Sequence, residues 1–167
     1  EDNAGNGDPD SPDDPDDGGW DWVLTDPNFT HSTVTSPDNI YGATAQGLYY
    51  AYLETGDAGY KTALDDAAGY MITNAAIDSA ADLVFLMLYD DLPGVSGTTY
   101  QDAAKTKYDA KVAGLADPYT KDGAGLAEYI RDARAGQGYE NGIIAWDIGT
   151  WAVVADMLNT RYPGNGY

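Results

Sequence analysis

The chain has 167 residues, 43% of them hydrophobic, and this length suits one domain with a single buried core. Acidic residues outnumber basic ones by 28 to 8, which gives a formal net charge of −20. Because nucleic acids and anionic membranes are bound mainly through Lys and Arg, this charge argues against both as partners.

Residues 1–19 are rich in Pro and Asp and contain a tripeptide repeat: Pro9-Asp10-Ser11, Pro12-Asp13-Asp14, Pro15-Asp16-Asp17. A period of three matches the polyproline II helix, so we expect an extended acidic arm rather than an α-helix. One interpretation is a solvated spacer. The other is a calcium site, formed where the arm lies against a second surface, with the carboxylates of Asp10, Asp13, Asp14, Asp16 and Asp17 as ligands. Calcium is the one cofactor that we consider, and no organic cofactor is predicted.

Residues 20–35 form a connector that opens with Trp20-Asp21-Trp22-Val23-Leu24, in which two indoles flank Asp21 and an apolar pair follows. The alternation of Trp and Asp at the start of this stretch predicts a short extended segment. Trp20 and Trp22 would either stack on sugar rings or dock the arm onto the helical body. Asn28 begins an N-glycosylation sequon, Asn28-Phe29-Thr30, which together with the acidic composition favours an extracellular or cell-surface location.

Residues 36–167 show helical periodicity and are predicted to form an α-helical repeat domain. The first helix follows Ser36-Pro37-Asp38, and its predicted inward face is Ile40, Ala43, Thr44, Gly47, Leu48 and Ala51. The sequence Gly56-Asp57-Ala58-Gly59 ends that helix and starts a second one, whose face is Tyr60, Ala63, Leu64, Ala67 and Met71. The third helix, Ser79–Leu92, contains the apolar run LVFLMLY and should be buried on every side.

A fourth helix is predicted from Thr99 to Val112, on the outside of the domain, with Tyr100, Ala104, Tyr108 and Val112 facing inward. A short helix at Leu126–Ala133 and a last one over 143–160 follow. The last helix repeats the first at an offset of 107 residues, since Gly42 falls on Gly149 and the pair Gly59-Tyr60 falls on Gly166-Tyr167. The body is therefore a series of helical hairpins.

Two segments, DNIYGATAQGLYYAYLETGDAGYKTALDDAAGYMI and GIIAWDIGTWAVVADML, resemble the helical hairpins of the α/α-toroid superfamily. This superfamily includes six-hairpin glycoside hydrolases and some polysaccharide lyases. The resemblance covers residues 36–167 and implies an all-α fold, a partial α/α toroid. It rests on the style of the repeat and not on a catalytic signature.

A full toroid has roughly twice as many helices, so the last helix is left without its usual partner. Three interpretations are open: the polypeptide was cut, the N-terminal arm covers the open end, or the open end docks on another copy. Contact of the third kind is head-to-tail and gives a ring or a filament. We expect Trp20, Trp22 and Tyr167 to take part in such assembly, which makes other copies of the chain its predicted partners.

The resemblance implies that the active groups of an enzyme of this type lie at the starts of the inner helices. The candidate acids there are Asp38, Asp78, Asp82, Glu140 and Asp147, and sugar-stacking platforms would come from Tyr41, Trp146 and Trp151. Helix capping explains Asp38 and Asp78 equally well. Arg131 and Arg134 share a helix face and would either grip a carboxylate or form local ion pairs.

The sequence contains no phosphate loop, no nucleophile elbow and no zinc-protease motif, and it lacks cysteine altogether. No apolar run is long enough to span a membrane. We therefore predict a non-catalytic extracellular structural or adhesive subunit that assembles head-to-tail through its arm and its open helical end. The alternative is a glycan-active enzyme, a glycoside hydrolase or lyase, or a fragment of one, with carbohydrate as its partner.

Overall fold

The computed structural model describes residues 41–73 and 78–167. The predicted arm and connector, with the calcium candidates, Asn28 and both connector tryptophans, lie outside the described residues, and so does Asp38 at the start of the predicted helical domain. Within them the chain is 74% helical and has no strand. The prediction of an all-α fold is thereby confirmed, whereas the toroid and the extended arm stay predictions.

The described residues form six helices. They are α1 (Tyr41–Thr55), α2 (Ala58–Thr73), α3 (Ala80–Tyr89), α4 (Thr99–Ala113), α5 (Gly123–Gly136) and α6 (Asn141–Arg161). Each predicted helix has a counterpart, and the shortest predicted one, over 126–133, is longer at both ends.

The helices pack as two rows. One row contains α1, α3 and α6, with α3 contacting both of the others, and the second contains α2, α4 and α5. Consecutive helices mostly lie in different rows, as expected of hairpins, except that α4 is followed by α5 in the same row. Helices α1 and α6 therefore end the first row, and each has one side that no other described helix fills.

The core is built around α3, which contacts α1, α2, α4 and α6. Eight of its ten residues are buried, as the apolar run predicts. The face predicted for α4 is also the one that faces inward, since Ala104, Tyr108 and Val112 are buried. The side chains of α3 that lie fully inside the core are those of Leu83, Phe85, Leu86 and Met87.

Helix α1 presents a different face to the core from the one that periodicity predicts. Its buried residues are Tyr41, Gly42, Ala45 and Tyr49, whereas Ala43, Thr44 and Gly47 of the predicted face are exposed or half-buried. The cause is that α1 carries a single charged residue, Glu54, and so has no polar side to fix its orientation. Packing decides instead, because Gly42 lets the backbones of α1 and α3 approach closely.

A buried carboxylate joins α1 to α3 at this contact. Ser79 caps α3, and Asp82 completes a capping box by accepting the Ser79 N–H at Oδ2 (2.9 Å). Its other oxygen, Oδ1, accepts the Gly42 N–H from α1 at 2.7 Å. One side chain therefore satisfies backbone donors at the starts of two helices.

Two helix ends differ from the prediction for local reasons. Helix α3 ends at Tyr89 rather than Leu92, because Asp91 and Leu92 donate i→i−3 hydrogen bonds to Leu88 and Tyr89. Helix α5 begins at Gly123, three residues early, since Asp122 accepts the Gly125 N–H (2.8 Å) as an N-cap. Across residues 41–73 and 78–167, no helix is both long and apolar enough to cross a bilayer.

Candidate functional site

A cleft of about 620 Å³ opens between α4, α5 and the first half of α6, and the start of α3 closes one end. We call it the α5–α6 cleft. Its floor is apolar, formed by Leu115, Leu126, Ile130 and Trp151, all of them buried. Its walls carry two aromatic rings and two ion pairs. A mostly apolar cavity with a few polar groups is the usual form of a binding site.

The first ion pair links α5 to α6. The Arg134 Nε–H donates to Asp147 Oδ2 at 2.7 Å, and only 13% of the Asp147 side chain is exposed. Arg134 also lies 5.1 Å from the centre of the Tyr139 ring and donates to Gln137 Oε1 at 3.3 Å. Asp147 raises the pKa of Arg134, so this guanidinium carries a fixed positive charge at the cleft.

The second ion pair lies at the opposite end of the cleft. Lys111 Nζ of α4 is 3.1 Å from Asp78 Oδ2, just before α3, and 5.0 Å from the centre of the Trp151 ring. A cation over the face of an indole is attracted by the ring quadrupole. The cleft therefore has one ammonium and one guanidinium group, each beside a carboxylate, so the formal charges of its lining side chains sum to zero.

Two aromatic rings stand on the rim of the cleft. Trp146 of α6 is 68% exposed and Tyr129 of α5 is 45% exposed. The sequence placed Trp146 and Trp151 together as sugar-stacking platforms, but the two differ here, because Trp151 is buried in the floor. Trp146 has the exposed ring that stacking on a ligand requires.

The structure brings together five of the residues singled out in the sequence, Asp78, Arg134, Trp146, Asp147 and Trp151, in this one cleft. Glu140 is exposed at the N-cap position of α6 and makes no capping bond with its side chain. Tyr41 is 1% exposed and packs on Tyr70 at 5.5 Å between ring centres, so neither of its faces is open to a sugar.

Asp82, another candidate acid, lies in the core at 0% exposure. Burial raises its pKa to about 6, an effect that the hydrogen bonds from Ser79 and Gly42 partly oppose. Its two oxygens are both occupied by backbone donors, and it does not line the α5–α6 cleft. Its position is that of a structural carboxylate rather than of a group that meets a substrate.

Tyr167, predicted to take part in assembly, packs back on α4. Its ring lies edge-on to Tyr108, with 5.7 Å between ring centres, and 5.7 Å from Lys105 Nζ. Lys111 and Tyr129 line the cleft but were not candidates. They lie on α4 and α5, far in sequence from the starts of the inner helices, and only their i, i+4 and i, i+3 spacing to other lining residues could have indicated them.

A second surface is the outward side of α6, which we call the α6 outer face: Ile143, Ala145, Trp146, Gly149, Ala152 and Val153, all of them exposed. The large members are strongly exposed, with Ile143 at 45% and Val153 at 49%. At the other end of the row is the α1 outer face: Ala43, Thr44, Gly47, Tyr50 and Leu53. The residues named here carry no charge, although the chain has a net charge of −20, and the first exposed carboxylates along the two faces are Asp156, one turn beyond Ala152, and Glu54, one turn beyond Tyr50.

No protein-family model, curated protein or solved structure matches this chain. The described residues also contain no group of three or more side chains that could hold a metal ion. The lining residues themselves are therefore the basis for inferring what the cleft binds.

Arg134→Gln is expected to lower the free energy of unfolding by about 1 kcal/mol or more, because the largely buried Asp147 carboxylate loses its cation. Arg131→Gln is the matched control. Arg131 lies one turn earlier on α5, pairs with Asp132 in solvent, and should change stability by less than about 0.5 kcal/mol. Urea unfolding of both variants checks this, and equal losses would show that the Arg134 pair contributes no more than a surface pair.

Proposed function

We propose that this chain is a non-catalytic structural or adhesive subunit of a cell surface or extracellular layer, assembling head-to-tail through its two end faces and its N-terminal arm. The observation that carries the proposal is the apolar α6 outer face, along which the first charged residue is Asp156, one turn beyond Ala152. A contiguous exposed apolar patch on a highly charged protein marks a site of association. Interface centres are likewise depleted in charged residues and enriched in aromatic ones such as Trp146.

Small residues make both end faces suitable for close helix packing. Gly149 and Gly142 on α6 and Gly47 on α1 have no atom within 4 Å of the position that a Cβ would occupy. Helices that approach through Gly and Ala bring their backbones near each other, so large neighbours such as Ile143 and Tyr50 can pack around the contact. The α1 outer face would then fill the side of α6 that no described helix covers.

The two faces are different surfaces at opposite ends of one row of helices, so their contact would be heterologous. Contacts of this type propagate into a ring or a filament, according to whether the rotation between copies closes. A partial α/α toroid completed by the next copy is the arrangement that we favour, because α1 and α6 are related by the 107-residue offset. Each copy would then continue the repeat of its neighbour.

Val153→Asp tests the assembly directly. Val153 is 49% exposed, lies on the α6 outer face and does not line the cleft. A carboxylate buried in the contact should weaken association by at least about 30-fold, corresponding to roughly 2 kcal/mol. Light scattering over a concentration series, with and without calcium, measures the shift towards monomer.

Tyr60→Asp is the matched control, since Tyr60 is an exposed aromatic residue on α2, away from both end faces. It adds the same charge and should leave assembly unchanged. A wild-type chain that stays monomeric at the highest concentration, or a Val153→Asp variant that assembles normally, would contradict the proposal.

The alternative function, a glycan-active enzyme, is favoured by one observation: two carboxylates, Asp78 and Asp147, share a cleft with the exposed Trp146 ring. Glycosidases need such a pair. Release of reducing ends or of unsaturated sugars from a polysaccharide panel, abolished by Asp147→Asn and retained by Glu140→Gln, would identify this cleft as catalytic. Both carboxylates are already ion-paired with cations, which is why we place this function second.

A further inference from the structure

We infer that residues 20–24 of one copy, Trp20-Asp21-Trp22-Val23-Leu24, bind in the α5–α6 cleft of the next copy. This inference rests on the proposed head-to-tail assembly and names the surface that receives the arm. It is carried by three features of the chain: where its charges lie, what lines the cleft, and where α1 begins.

Charge restricts where the arm can bind. Residues 1–40 contain eleven acidic residues and no Lys or Arg, so they are repelled by most of the surface of an acidic protein. Residues 99–136 are the exception, because six basic and six acidic residues leave this segment neutral. Six of the chain's eight basic residues are there, on or beside α4 and α5: Lys105, Lys107, Lys111, Lys121, Arg131 and Arg134.

The cleft matches the side chains of the segment. In the extended conformation predicted for residues 20–24, Trp20, Trp22 and Leu24 point to one side and Asp21 to the other. The apolar floor would take the first group, and Trp146 on the rim gives an indole a partner for stacking. Asp21 would then lie near the wall that carries Arg134, whose guanidinium has donors beyond those given to Asp147 and Gln137.

The position of α1 brings the arm to the right place. The arm enters α1 at Tyr41, and in head-to-tail contact the α1 outer face lies against the α6 outer face of the next copy. Trp146 belongs to both that face and the cleft rim. From Trp22 to Tyr41 the chain can span up to about 60 Å, roughly twice the length of α6, which has 21 residues and is the longest described helix.

Engineered cysteines test the contact in the full-length chain, which has no cysteine of its own. We expect Val23→Cys, which keeps both indoles and lies on the same side of the segment as Asp21, to form disulfides between copies when combined with Ala133→Cys, a half-buried residue of the cleft wall beside Arg134. A non-reducing gel should show a ladder that collapses to monomer on reduction. The matched control combines Val23→Cys with Thr62→Cys, exposed on α2, and should give at least about tenfold less ladder.

Three other results are possible, and each of them overturns a stated part of the proposal. A disulfide confined to single chains would show that the segment binds its own cleft and would overturn exchange between copies. No disulfide, in a sample that light scattering shows to be assembled, would remove the cleft as the arm's site and leave the proposed function standing. A cysteine-free chain that never assembles would overturn both.

Discussion

Replacing Gly42 by Ala is expected to lower the free energy of unfolding by at least about 2 kcal/mol. A Cβ at this position would lie 2.2 Å from the backbone of Ala81 and Asp82 in α3. Backbone atoms cannot rotate away as the end of a side chain can, so α1 and α3 would have to separate. Overpacking of this kind costs about 1–3 kcal/mol, and here the hydrogen bond from Gly42 N–H to Asp82 would also lengthen.

Gly47→Ala, on the same helix, is the matched control. No atom lies within 4 Å of the position that its Cβ would take, and the higher helix propensity of Ala should stabilise α1 by up to about 1 kcal/mol. Chemical denaturation followed by circular dichroism compares the two variants. If Gly42→Ala proved as stable as Gly47→Ala, the close approach of α1 and α3 would be refuted.

The helices themselves could be predicted because their signals are local. The run LVFLMLY makes its helix apolar on every side. Such a helix can bury all of its sides only at the centre of the domain, and α3 lies there. For α4, the i+4 spacing from Tyr100 to Val112 contrasts with Lys and Asp on its other sides, so a single orientation follows. Both predictions use residues within one helix, and in neither helix does packing change the orientation that the sequence favours.

The orientation of α1 could not be predicted, because its single charged residue, Glu54, lies in the last turn, and only the partner helix distinguishes the two sides of the rest. The site shows the same limit. Arg134 and Asp147 were each singled out, but their pairing depends on how α5 turns onto α6. Lys111 meets Asp78 only because α3 and α4 pack together, a contact between residues far apart in the chain.

The misassigned face of α1 bears on function. Periodicity selected Ala43, Thr44 and Gly47 as inward-facing because they fall at i, i+3 and i+4 intervals with apolar residues of the same helix, a spacing typical of a face that packs against other helices. In the structure these residues face outward, where no described helix covers them. A packing surface at the end of a row of helices is what head-to-tail assembly requires.

The second large effect is a loss of stability as pH rises, centred on Asp82. Its pKa is about 6 in the folded protein, against an ordinary value of 3.8, so the folded state holds this proton more tightly than the unfolded state does. The resulting stability is complete below about pH 4 and is lost as pH rises through 6. A difference of about two units corresponds to roughly 3 kcal/mol.

Two other acids with shifted pKa values, Asp90 and Asp102, do not reverse the loss of stability between pH 4.5 and 7.5. Burial also raises the pKa of Asp90, which therefore acts in the same direction. Hydrogen bonds with Tyr162 and Thr98 lower the pKa of Asp102, so its contribution is lost only as pH falls below the ordinary carboxyl range. Between pH 4.5 and 7.5 the free energy of unfolding should consequently fall.

Asp82→Asn isolates the buried group, because the amide keeps the shape and one acceptor but cannot titrate. We expect it to be less stable than the wild type at pH 4.5, where it lacks one backbone hydrogen bond, and to approach or exceed the wild type at pH 7.5. Asp66→Asn, at an exposed carboxylate on α2, removes the same unit of charge and is the matched control. A curve for Asp82→Asn that ran parallel to that of the wild type would mean that Asp82 is ionised in the folded core throughout this range. The two backbone donors from Gly42 and Ser79 would then outweigh the cost of burying the charge.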